Sequence, residues 1–193
     1  MDISRNICIE SSSGSKEFTL DSVNASNGDI FLVKPITADL AMNFVSLMKY
    51  MEKQKKDVTL YINSPGGEVE AGLVMYDVIQ AYPYDLSIYC VGMAASMAAV
   101  LLAGGRKERR FILPNSKVMI HEPLISDRFG GSATTIEKKA QRILEVKSQI
   151  NSILAKHTGR TVEEIDKATA FDNVMTAKEA VEFGICDKIK NIF

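Results

Sequence analysis

The stretch VTLYINSPGG at residues 58–67, followed by EVEAGLVMYDVIQA at 68–81 and LSIYCVGMAASMAAVLLAGG at 86–105, decides the fold class. Val58–Ile62 has the composition of a strand. Asn63-Ser64-Pro65-Gly66-Gly67 punctuates it as a loop. Residues 68–81 read as a helix, 86–90 as a strand and 95–103 as a helix of Ala, Met and Leu. Gly92 falls at the last junction. Working upstream, Ile30–Val33 is a strand. Thr37 caps a helix that carries Leu40, Phe44, Leu47, Met48 and Met51 at helical spacing. Downstream, Gly104-Gly105-Arg106-Lys107-Glu108-Arg109 is a turn, and short strands follow near 111–113 and 117–120. Strands alternating with helices imply parallel βαβ units with helix-covered faces. In such sheets, sites form beyond the carboxyl ends of the strands.

The last third reads as helical. Three capping boxes are expected, Thr134 with Glu137, Thr161 with Glu164 and Thr176 with Glu179. They predict helices from Thr134 to about Lys156, over 162–169, and over 177–183 with Gly184 as C-cap. Residues 11–15, Ser-Ser-Ser-Gly-Ser, read as a loop or hairpin tip.

The 193 residues, 46% hydrophobic and 24% charged, have the balance of an ordinary globular domain rather than a disordered or collagen-like chain. A net charge of −1 offers no basic field for nucleic acid or an anionic membrane. The first ten residues, MDISRNICIE, lack the basic and apolar pattern of a secretory signal. Residues 86–105 are uncharged over the length of a membrane span. Their division into β-rich and helix-rich halves favours a buried strand turning into a buried helix. Cys8, Cys90 and Cys186 form neither a disulfide framework nor a zinc pattern, and a reducing, cytoplasmic location is expected.

Three segments bear chemistry. The Gly66-Gly67 loop precedes a helix, so its N–H groups suit an anion or a developing oxyanion. Glu68, Glu70 and the lack of a GK[ST] sequence speak against phosphate, and a plain strand–helix turn explains the glycines equally. Ser96 sits where a strand turns into a helix, and the small Ala94 and Ala98 flank it two residues away. That is the steric logic of a nucleophile elbow, though a serine in a small-residue packing helix has the same letters. Of the two histidines, His157 stands at a helix end, where it complements the dipole. His121 ends an apolar strand ahead of Pro123 and is the candidate base; a merely hydrogen-bonded strand-end histidine is the alternative. Three strand ends on one sheet edge would bring nucleophile, base and oxyanion donors together. Eleven aspartates are available to orient the imidazole, and spacing does not choose among them.

YINSPGG at 61–67, GMAASM at 92–97, LPNSKVMIHEP at 113–123 and AKEAVEFGICD at 177–187, in this order and spacing, resemble the proteolytic subunit of the Clp protease (the ClpP family of serine peptidases). The resemblance covers about residues 30–190. It implies an α/β, crotonase-like spiral of βαβ units with a long helical handle for ring–ring contact. Residues 1–193 would be one peptidase domain. Its parts would be a divergent N-terminal axial segment (1–29), a βαβ head (30–130), a handle helix (131–160), and C-terminal helices with a last strand (161–193). By the same resemblance Ser96 is the nucleophile, His121 the base and Asp172 the third triad member. The backbone N–H groups of Gly67 and Met97 would form the oxyanion hole, with Gly66 supporting the loop. The implied activity is endopeptidase cleavage of unfolded polypeptides inside stacked heptameric rings, a tetradecamer. An AAA+ unfoldase would bind the ATP. This chain would need neither metal nor other cofactor and would bind neither nucleic acid nor membrane.

The chain departs from that pattern in places. Its first 29 residues match poorly, which leaves the unfoldase partner open. Ala170-Phe171 replace an acidic residue and an arginine that commonly pair across rings. Altered regulation, single heptamers or a compressed form are the expected consequences. Two rivals remain. One is a ring subunit with a misaligned triad that partners an active paralogue. The other is an acyl-CoA hydratase or isomerase of the same fold, against which the Ser96/His121 pair argues.

Overall fold

In the computed structural model, the described residues are 6–11, 14–124 and 131–192. Residues 12 and 13 of the expected 11–15 loop, and residues 125–130 of the expected βαβ head, lie outside them. The strands are β1 (Asn6–Ser11), β2 (Gly14–Thr19), β3 (Asp29–Leu32), β4 (Val58–Ser64), β5 (Leu86–Ala95), β6 (Arg110–Ile112), β7 (Lys117–Ile120), β8 (Asn173–Thr176) and β9 (Lys188–Ile189). The helices are α1 (Leu20–Asn27), α2 (Ala38–Lys53), α3 (Val69–Ala81), α4 (Met97–Ala103), α5 (Ala133–Thr158), α6 (Val162–Thr169) and α7 (Ala177–Phe183).

The expected alternation is present. β3, β4, β5 and β6 pair in parallel, with α2, α3 and α4 as the connections. Burial explains the order. Leu60, Ile62, Ile88 and Cys90 are inaccessible, and all seven residues of α4 are buried. The uncharged run 86–105 is therefore a largely buried strand, exposed at Gly92 and Met93, and a buried helix. No helix among the described residues is long and apolar enough to cross a membrane. On the opposite face Phe31, Tyr61, Tyr89 and Phe111 occupy matching register positions and stack in sequence, with centroids 4.8, 5.6 and 4.7 Å apart.

β5 departs from the reading of 86–90 by continuing to Ala95. It changes partners along its length. Ile88–Cys90 pair with β6, and Met93–Ala95 pair with β7. Gly92, at φ 97°, is the fork, and its N–H donates to Ser116 Oγ at 2.7 Å. Pairing with β7 overrides the helix propensity of Ala94 and Ala95, so α4 begins at Met97 rather than residue 95. β8 was not anticipated. It runs antiparallel to β7, with Ile120 opposite Asn173. The hairpin reading of 11–15 agrees with the antiparallel pair β1–β2, in which Ser11 faces Gly14, whereas the strands themselves and α1 were not anticipated.

The capping boxes at Thr161–Glu164 and Thr176–Glu179 form, and Gly184 closes α7 in a left-handed conformation. The box at Thr134 does not. Ser132 is the N-cap of α5, in extended backbone, and its Oγ accepts from Thr135 N–H. Thr134 already lies inside the helix, where its backbone cannot adopt the cap conformation. α5 is amphipathic in two parts. Ile150 and Leu154 are buried, whereas Ile136 and Leu144 near its start are exposed and Ile143 is half-buried.

The C-terminal segment is tied to the sheet by a buried ion pair. Arg110 Nη2 lies 2.5 Å from Asp187 Oδ1, and Nε lies 3.1 Å from Oδ2. Arg110 also donates to the carbonyls of Ala103, His157 and Gly184, the ends of three helices. Burial alone would raise the Asp187 carboxyl, but these hydrogen bonds outweigh it and hold it below its ordinary value. Its stabilisation is thus full above the normal aspartate range and is lost as pH falls through the depressed folded value. Asp187→Asn leaves the buried guanidinium uncompensated and is expected to cost about 3–5 kcal/mol in denaturant unfolding. A loss under about 1 kcal/mol would show the pair to be as weak as a surface one.

Candidate active site

Ser96 stands between the end of β5 and the start of α4 at φ 54°, ψ −126°. A non-glycine residue seldom adopts positive φ, and its surroundings must hold it there. They do so from two sides. Its N–H donates to Met119 O at 2.8 Å, which extends the β5–β7 pairing. The Gly66 backbone presses on the elbow from the other side. A β-carbon at Gly66 would lie 2.5 Å from Ala95 O and 2.7 Å from Ser96 Cβ.

The Gly66-Gly67 loop is itself fixed from three directions. Buried Ser64 donates to Lys34 O at 2.7 Å and accepts from Gly66 N–H at 3.2 Å. Ile36 N–H donates to Gly66 O, and Glu68 N–H donates to Ile36 O. In this parallel bridge the Gly67 N–H points away from Ile36. A side chain on Gly67 would strike the Ile36 carbonyl. Asn63 Oδ1 accepts from Met93 N–H at 3.2 Å and ties the loop to β5. Met97 opens α4, so its N–H is among those without an intrahelical acceptor.

β7 ends at Ile120 and delivers His121 to the same edge. His121 Nε2 lies 2.9 Å from Ser96 Oγ. The β7–β8 ladder ends with Ile120 opposite Asn173, the residues next to His121 and Asp172. Asp172 Oδ1 is 3.8 Å from His121 Nδ1, beyond hydrogen-bond range, with its side chain 75% exposed against 13% for the imidazole. Beside the Ser–His pair lies a small apolar cleft of about 20 Å³, lined by Val69, Val100, Ile120, Pro123, Ile150 and Leu154.

Hydroxyl, imidazole, carboxylate and a glycine loop from four separate segments thus meet at one sheet edge. The family model for Clp protease matches residues 12–192. The chain belongs to the Clp protease family. This is a peptidase family, and its members generally form oligomeric rings that partner with unfoldases. The mixed α/β architecture, with its parallel sheet and long helix α5, agrees with the ClpP-like fold.

Other candidate residues lie elsewhere. His157 does not serve α5 as a charged dipole partner. It is packed against Tyr76, whose hydroxyl lies 2.8 Å from Nε2. Burial, then Lys156 and Arg110, lower its pKa and favour the neutral ring. Glu122 turns away from His121 and pairs with Lys147 at 3.1 Å. Burial pushes the Cys90 thiol up to about 12 and the Cys186 thiol up as well, so both are poor nucleophiles. Among the described residues no cluster of His, Cys, Asp and Glu could hold a metal ion. Sequence reasoning missed Ser64, Asn63 and Ile36 as the supports of the glycine loop. The signal for Ser64 and Asn63 was present: two short polar residues between an apolar strand and Pro65 commonly bond back to the backbone.

Gly66→Ala tests the contact between loop and elbow. Its β-carbon is expected to displace residues 95–97 and lower unfolding stability by roughly 1–3 kcal/mol. An unchanged stability would show that the loop can withdraw.

Proposed function

We propose that this chain is a serine endopeptidase of the Clp protease family, with Ser96 as nucleophile, His121 as general base and Asp172 as the group that orients the imidazole. The 2.9 Å approach of Ser96 Oγ to His121 Nε2, at a backbone conformation held by its neighbours, carries the reading. With the imidazole proton on Nδ1, facing Asp172, Nε2 accepts the Ser96 proton as Oγ attacks a peptide carbonyl. The Gly67 and Met97 N–H groups donate to the tetrahedral oxygen, and Gly66 keeps the loop in place for them. The imidazolium then protonates the leaving amine. Water, deprotonated by His121, releases the acyl chain from Ser96. These steps require no metal or cofactor from this chain, and ATP belongs to a partner unfoldase.

Assembly is part of the proposal. The exposed apolar residues of the first half of α5 support a handle between stacked heptameric rings, which enclose unfolded polypeptide in the cytoplasm. Phe171 is 86% exposed and Val174 is 57% exposed on either side of Asp172. Where a charged pair would serve an interface, apolar groups can hold it equally well. Contact of a second chain there would cover Asp172 and bring its carboxylate onto Nδ1. The 3.8 Å gap also favours one second reading, a ring subunit that stays inactive without an active paralogue.

A fluorophosphonate probe separates these readings. The purified, assembled protein is expected to label at Ser96. Ser96→Ala should abolish labelling and lower peptide turnover by on the order of 10⁶-fold. Labelling only in the presence of a paralogue would favour the inactive subunit. Wild-type turnover in Ser96→Ala would remove the triad altogether.

A further inference from the structure

Lys147 lies in the middle of α5, with its side chain 23% exposed. Its ammonium stands between two carboxylates, 2.9 Å from Asp166 Oδ1 and 3.1 Å from Glu122 Oε2. Asp166 and then Glu122 raise its pKa, so the cation is secure at neutral pH. Each carboxylate sits on a segment that carries one member of the proposed triad. Glu122 directly follows His121. Asp166 is on α6, which ends at Thr169, shortly before Asp172.

Other bonds also fasten these segments: Asn173 Nδ2 donates to Ala168 O at 3.1 Å across the α6–β8 turn, and Thr169 Oγ1 donates to Asn151 Oδ1 at 3.5 Å. The Glu122 N–H donates to Thr169 O at 2.8 Å, one backbone bond beyond the β7–β8 ladder. Asn151, one turn along α5 from Lys147, donates to Asp166 Oδ1 at 3.2 Å. α5 thus grips α6 through Lys147 and Asn151, but it grips the residue after His121 through Lys147 alone among the described ion pairs and side-chain hydrogen bonds. Removing the cation would leave two carboxylates that had shared one ammonium facing each other, and their repulsion would push the segments apart. It would also free Glu122 to swing toward the imidazole, in competition with Asp172.

We propose that Lys147 is a positioning residue: its bridge between Glu122 and Asp166 locks the His121 segment and the α6–β8 turn together, so that Asp172 stays the carboxylate facing Nδ1. The inference rests on the triad reading above.

The test uses the full chain with Lys147→Met, Lys147→Arg and the double variant Lys147→Met/Glu122→Gln. A short fluorogenic peptide reports kcat and KM, and the fluorophosphonate probe reports the rate at Ser96. Lys147→Met is expected to lower kcat and the labelling rate roughly 10- to 100-fold with KM changed less than about twofold, because small misplacement of reacting groups is costly. Lys147→Arg, which keeps the bridging charge, should recover most of the loss. The double variant, which removes the unpaired carboxylate, should recover several-fold. Wild-type kcat in Lys147→Met, with wild-type protein still labelled at Ser96, overturns the proposal and leaves the triad standing. An equal loss in all three variants also overturns it, because the role would then be packing alone. Wild-type protein that does not label at Ser96 overturns the triad and the proposal with it.

Discussion

Ser96 is held at positive φ between two backbones, and the rest of the site is arranged around that constraint. The fork in β5 provides one backbone. Past Gly92 the strand leaves β6 and pairs with β7, so Ser96 N–H finds Met119 O. The glycine loop after β4 provides the other, close enough that Gly66 cannot carry a side chain. Because β7 is the strand that fixes Ser96, the residue that follows it, His121, arrives beside the hydroxyl. The same pairing that strains the serine therefore supplies its base. Strain at a functional residue persists only where the surroundings over-determine it, and here they do so with the elements that bear the chemistry.

Much of this was legible because the signals were local. The periodic apolar face of α2, the boxes at Thr161 and Thr176, and the small residues around Ser96 each declare themselves within a few positions. What failed depended on distant pairing. Ala94 and Ala95 read as helix until β7, more than twenty residues later, claims them as strand. Asn173–Thr176 is too short to announce itself and exists because β7 has a free edge. Thr134 offered as good a cap as Ser132 in the letters alone, and backbone geometry chose between them. Asp172 could not be picked from the aspartates by spacing. Resemblance pointed to it, and the β7–β8 pairing gives the physical reason, since the ladder ends at Ile120 and Asn173, the neighbours of His121 and Asp172. The Lys147 bridge joins three segments and has no signature in any one of them.

The pair and the third group differ in how firmly they are set. Ser96 and His121 are partly shielded and within hydrogen-bond distance. Asp172 is exposed and just out of reach, flanked by Phe171 and Val174, which present apolar surface to solvent. The adjustable part of the proposed triad therefore lies beside exposed apolar surface. A lone chain would then hold its nucleophile and base ready while its orienting carboxylate awaited a neighbour.

The most direct test is a structure of the assembled particle carrying a phosphonyl adduct on Ser96. The account predicts the phosphonyl oxygen within about 3.1 Å of both Gly67 N and Met97 N, and Asp172 drawn to within about 3.0 Å of His121 Nδ1. An adduct whose oxygen turns away from both N–H groups, with the imidazole out of reach of Ser96 Oγ, would contradict it.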